Sequence, residues 1–117
     1  METTISAPLA DALHDATMEA HEQAEHATFI SRLLGGEGTP DGLVALLSQS
    51  LPIYQALEDA CRAVGSYPRI APILDSRLDR TDALVGDLGV HRAAGRAYDA
   101  VLPATEAYVA ELRACAD

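Results

Sequence analysis

Between Thr39 and Gly65, apolar or small residues recur at three- and four-residue spacing: Leu43, Leu46, Leu47, Ser50, Tyr54, Leu57, Cys61 and Val64. A strand alternates faces every second residue, so this period belongs to a helix with one buried stripe. Thr39-Pro40-Asp41 supplies an N-cap, a first-turn proline and an early acid, and Gly65 supplies the stop. The spacing predicts one long amphipathic helix ending at Val64. Pro52 lies inside it and lacks a backbone donor, which predicts a kink. Tyr54, just beyond, reads as a core residue. A helix of this length cannot bury its stripe alone and demands helical partners.

The rest of the chain supplies them. Phe29 to Leu34 is an apolar helical run halted by Gly35-Gly36-Glu37-Gly38, where glycine offers a left-handed C-cap. That patch fits neither G-x-G-x-x-G nor a Walker loop, so it is a turn and not a phosphate cradle. Ser66 to Pro72 is a loop broken by two prolines. Ile73 to Leu88 is predicted helical on Leu74, Leu78, Leu84 and Leu88, and Val90 to Tyr98 is a polar helix or loop. Leu102-Pro103 opens a last helix whose buried stripe is placed at Tyr108, Val109 and Leu112. No stretch reads as a strand, and no repeat is present. The fold class is all-α, in a chain of 117 residues that makes a single domain. With one Phe, four Tyr and no Trp, the core must be built from Ala, Leu, Val and Ile, which suits closely approaching helices.

Charge narrows the partners. The net charge is −10, and all eight basic residues are Arg. Such a surface repels phosphate backbones and anionic membranes, so neither nucleic acid nor membrane is an expected partner. No apolar run reaches the eighteen or so residues of a membrane span. Met-Glu-Thr-Thr lacks the basic start of a signal peptide. Cys61 and Cys115 have no C-x-x-C spacing and are expected as reduced thiols, which suits a cytoplasmic protein. Acid pairs such as Glu58-Asp59 and Asp79 with Asp82 read as solvated helix faces.

The candidate chemistry lies near the start. Ala7 to Phe29 reads as a helix with Ser6 as N-cap, Pro8 in the first turn and Asp11 near the positive end of the dipole. His14, Met18, His21 and Glu25 share one stripe at spacings of four, three and four. Leu9, Leu13, Ala16, Ala20 and Ala24 form an adjoining apolar stripe for a partner helix. Asp15, Glu19, Glu22 and His26 face water. An imidazole with a carboxylate one turn beyond it is the arrangement of a metal or haem ligand with its own orienting acceptor. The bland alternative is a packed or solvated histidine. His14 and His21 lie about 10 Å apart along the axis and cannot share one ion. Asp11-x-x-His14 as half of a di-metal site lacks the further Glu and second Glu-x-x-His that such a site needs. His26 and His91 read as surface residues. No Ser-His-Asp or Cys-His set has a recognisable turn context.

The order Leu13-His-Asp-Ala-Thr-Met-Glu-Ala-His21-Glu-Gln-Ala-Glu25-His-Ala-Thr-Phe29 resembles the proximal helix of the haem oxygenases. The family pattern there is Leu-x-x-Ala-Thr-x-x-x-His-x-x-Ala-Glu-x-x-x-Phe. Ile53-Tyr54-Gln-Ala-Leu57-Glu58, Ile70-Ala-Pro72-Ile and the Pro103 to Leu112 segment are similar to later parts of the family. Gly86-Asp87-Leu88-Gly89 superficially resembles the glycine motif of its distal helix, but the flanks match an earlier segment. The resemblance implies a helical bundle of which residues 1–117 form the proximal half. It implies His21 as proximal iron ligand, Glu25 as the partner of its second nitrogen, Tyr108 at the haem edge and, with the last helix placed as in the family, Arg113 for a propionate. His14 stands where the family carries a propionate-binding Lys, and Met18 at a second basic position; both departures weaken propionate anchoring. It further implies haem as substrate and cofactor, cleaved oxidatively to biliverdin, CO and iron with electrons from a reductase. Three explanations are open for a chain holding only the proximal half: a fragment of a longer enzyme, pairing with itself or with a completing partner chain, or a relic without turnover. The first two imply exposed apolar surface and hence self-association. The competing reading is a non-catalytic helical interaction or scaffold module that lacks the distal helix.

Overall fold

The computed structural model describes residues 8–117. Among them are five α-helices and no strand: α1 (Leu9–Glu25), α2 (Thr28–Arg32), α3 (Pro40–Ala63), α4 (Thr81–Ala93) and α5 (Pro103–Ala114). The all-α expectation holds. The chain divides into two compact units, Met1–Thr39 and Pro40–Asp117.

In the first unit α1 begins two residues later than expected, with Pro8 in extended backbone as the N-cap residue and not inside the first turn. Ser6, the expected cap, lies outside the described residues. The helix does not continue to Phe29: it closes at Glu25, Ala27 is extended (φ −58, ψ 139), and Thr28 opens α2. Thr28-Phe29-Ile30 resume helical backbone, so the break is confined to His26 and Ala27. A wide turn over Leu33–Glu37 then ends the unit. Gly36 sits there at φ 80, the left-handed stop that the glycine patch predicted.

The second unit is built on α3, against which both α4 and α5 pack. The predicted start at Pro40 is observed, and the helix runs unbroken through Pro52 to Ala63. Its buried positions are Val44, Ser48, Ala56 and Glu58, none of them on the predicted stripe; Leu57 is exposed and the remaining stripe positions are half-buried. The reason is geometric. A helix covered from two sides buries a wide arc, and its deepest positions lie between the two partners. Leu84 and Leu88 of α4 complete the core, Leu88 with no exposure. Burial of a leucine to that degree is worth about 1.5–3 kcal/mol relative to water.

Two polar side chains of α3 fix where the next helices start. The Glu58 carboxylate accepts hydrogen bonds from the Arg80 and Thr81 N–H groups and from the Thr81 hydroxyl. It thus caps α4 from outside, an anion at the positive end of the dipole. Burial, the largest single influence on this carboxyl, opposes ionisation; the bonds from Thr81 and Arg80 together outweigh it and hold it below the usual glutamate range. Gln49 serves α5 in the same way. Its Oε1 accepts from Leu102 N–H at 2.9 Å and Thr105 Oγ1 at 2.7 Å, while its Nε2 donates to Ala100 O at 2.9 Å. Ser48 Oγ accepts from Asp99 N–H at 3.1 Å and holds the preceding loop.

Three further expectations are corrected. Glu58 is a buried cap and not part of a solvated face. Ile73 to Leu88 is not one helix: short 3-10 turns at Ala71–Ile73 and Ser76–Leu78 precede α4, which starts only at Thr81. The Asp75 carboxylate accepts from Arg77 N–H and its guanidinium and so caps the start of the second 3-10 turn, while the Glu58 cap sets the start of α4. On α5 the covered stripe is Thr105, Val109 and Leu112, with Ala116 just past the helix end; Tyr108 lies off it and is 49 % exposed.

Candidate functional site

α1 buries none of its residues, Leu9 and Leu13 included. On this open helix the one predicted pair that meets is His21 and Glu25, with Nε2 to Oε1 at 2.9 Å. The four-residue spacing places the carboxylate directly over the ring, one turn on. An acceptor-only carboxylate fixes the proton on the ring nitrogen that it meets. A neutral imidazole held in this way keeps a lone pair on its other nitrogen, and the ring stays 60 % exposed. That donor set fits haem iron or another imidazole-binding metal. Within one helical turn of His21 the neighbours on the same face include Thr17, Met18 and Ala24. The Thr17 hydroxyl turns back onto Leu13 O at 2.7 Å and is already satisfied. A planar macrocycle lying along this face would meet small or deformable side chains, not bulky ones.

His14 and Met18, the other expected residues of this unit, do not join that pair. His14, on the same helix, approaches Asp15 at 3.4 Å and is exposed. Met18 is half-buried. Tyr108 belongs to the second unit. Arg113, also there, is held by Asp59, whose carboxyl is kept low by hydrogen bonds from Arg62 and Arg113. Among the described residues no group of three or more His, Cys, Asp or Glu is gathered as a metal site. Cys61 and Cys115 are free thiols.

The second unit has a cavity of its own, of about 510 Å³, between α3 and the 3-10 turns. Tyr54, Leu57, Cys61, Leu74 and Leu78 make its apolar wall. Tyr54 is therefore a half-buried wall residue and not a fully packed core residue. The side chains missed by sequence reasoning are Gln49 and Glu58, which position helices. Gln49 and Glu58 are nine residues apart, on opposite sides of α3, and each faces a different partner helix, so a single-stripe reading finds neither. Polar residues on a buried stripe are expected to be bonded.

Comparison with known proteins extends the local pattern to the whole chain. The family model described as "Heme oxygenase" matches residues 7–117. "Heme oxygenase 1" of Homo sapiens is 35 % identical over 100 residues, covering 85 % of this chain and 34 % of that protein. "Heme oxygenase 1" of Nostoc sp. is 30 % identical over 110 residues, covering 93 % of this chain and 46 % of that protein. "Heme oxygenase" of Porphyra purpurea is 29 % identical over 83 residues, 71 % of this chain and 35 % of its own length. The chain thus spans between a third and a half of these curated relatives. No helix among the described residues is long and apolar enough to cross a membrane. On the match over residues 7–117, this chain belongs to the heme oxygenase family.

Proposed function

We propose that this chain binds haem through His21 as the axial iron ligand and serves a haem-degrading oxidoreductase of the haem oxygenase type. The observation that carries the reading is the His21–Glu25 pair on an otherwise uncovered helix face, in a chain of that family. Bound haem would be both cofactor and substrate, opened to biliverdin, CO and iron with electrons from a partner reductase.

The chain's own residues supply binding and orientation. Glu25 holds one ring nitrogen and sets the basicity and direction of the other, as second partners of ligating histidines do. Thr17 and Ala24 leave room beside the ring, and Met18 offers a soft apolar contact. His14 lies two turns away from His21 on the same helix and enters through the family resemblance alone. Tyr108 enters through the family resemblance alone. Exposed Leu9 (74 %) and Leu13 (55 %) support a second copy or a completing partner chain over this helix. The two free thiols suit a cytoplasmic setting.

The test is a hemin titration followed by absorption, with His21→Ala alongside and an electron donor added afterwards. The expected result is a saturable Soret band near one haem per chain or per dimer, lost in the variant, with biliverdin formed on reduction. Equal, featureless uptake by both proteins would instead favour the non-catalytic scaffold.

A further inference from the structure

The chain carries 18 carboxylates against eight arginines, so an arginine without a carboxylate is the exception. Arg32, Arg62, Arg77 and Arg113 each pair with an acid. Arg80 donates to the carbonyls of Arg77 and Asp79. Two of the remaining three, Arg92 and Arg96, sit on one turn. At the end of α4, Gly95 takes φ 87, Gly95 N–H donates to Arg92 O at 3.0 Å, and Arg96 N–H reaches back to His91 O at 2.9 Å. This left-handed cap folds Arg96 over the last helical turn. Its Nη1 then donates to His91 Nδ1 at 3.1 Å. Arg92 lies over the Tyr98 ring, 5.5 Å from the centroid.

The constellation contains donors and almost no acceptor. His91 spends its acceptor nitrogen on Arg96, which leaves its other ring nitrogen as an N–H donor. Arg96 uses one N–H there and keeps the rest of its fork. Arg92 is stacked, and stacking on a ring face leaves the guanidinium edge open. The cations also suit the negative end of α4, which accounts for His91 and Arg92 in the last turn but not for Arg96, which lies beyond the helix. The nearest acids in sequence are Asp87 and Asp99, and neither forms an ion pair with these groups at 4 Å or less.

We propose that His91, Arg92 and Arg96, set by Gly95 and Tyr98, form a binding site for an oxyanion of the phosphate or carboxylate type carried by a small molecule. The site lies wholly within the second unit and does not rest on the haem reading. Planar guanidinium forks match such oxyanions in bidentate fashion. The acidic remainder of the chain repels anions elsewhere, which confines binding to this turn.

The test is a two-dimensional amide NMR titration with pyrophosphate at constant ionic strength, repeated with succinate. Saturable shifts confined to residues 91–98 are expected, weakened at least tenfold in Arg92→Gln and in Arg96→Gln and unchanged in Arg69→Gln. Gly95→Ala keeps both guanidinium groups but strains the turn, and it should weaken binding comparably. Saturation with pyrophosphate alone assigns a phosphoryl ligand; saturation with both assigns the broader oxyanion class. Linear shifts spread over the arginines, or unchanged affinity in Arg92→Gln and Arg96→Gln, would overturn the site. Unchanged affinity in Gly95→Ala would overturn the role of the turn. Each variant's amide spectrum reports whether the fold is retained.

Discussion

α1 and α3 are both long helices with an apolar stripe in sequence, and they put their side chains to opposite uses. α1 buries nothing, and its His21–Glu25 pair stands in the open. α3 buries four residues, and two of its polar side chains, Gln49 and Glu58, are turned onto the starts of α5 and α4. A helix at the centre of a packed unit spends its polar groups on neighbours. A helix without cover keeps them available to a ligand. The buried core and the His21–Glu25 pair therefore reside in different units.

Substitutions can break or sharpen that contrast. The largest effect is expected for Leu88→Ala, which empties a fully buried position. It should cost about 2–5 kcal/mol by denaturant titration. Glu58→Ala comes next, leaving the Arg80 and Thr81 donors without their acceptor. A cost of about 1–3 kcal/mol is expected, with faster amide exchange at the start of α4. The same group sets a pH dependence. Its carboxyl is held low in the folded chain, so its contribution is complete above the ordinary glutamate range and is lost as pH falls through that depressed value. Glu58→Gln should flatten the acid side of the stability curve. The smallest effects belong to α1: Leu13→Ala and His21→Ala should each stay within about 0.5 kcal/mol, as exposed sites do. A loss above 1 kcal/mol in either, read on the same titration, would mean that α1 is covered after all.

Much of this was legible in the sequence for a physical reason. The three- and four-residue periods, Pro40 and the glycine patch act locally, so the helices α1, α3 and α5 and the stop at Gly36 could be read from neighbours alone. The start of α4 could not, because it is set by Glu58, 22 residues away along the chain. Tyr108 reads as apolar by residue type, yet Thr105 takes the buried position through its bond to Gln49. His21 and Glu25 were legible because their meeting depends only on helical spacing. The break at Ala27 carries neither glycine nor proline and had no such signal.

The most direct test of the central claim is imidazole rescue of His21→Ala bound to hemin, followed by the Soret band. A side chain that acts as an axial ligand leaves a gap that free imidazole can fill, which a merely structural histidine does not. His21→Ala is expected to lose the wild-type spectrum and millimolar imidazole to restore it, with the Leu13→Ala spectrum unchanged. A wild-type Soret band in His21→Ala without imidazole would contradict ligation by His21.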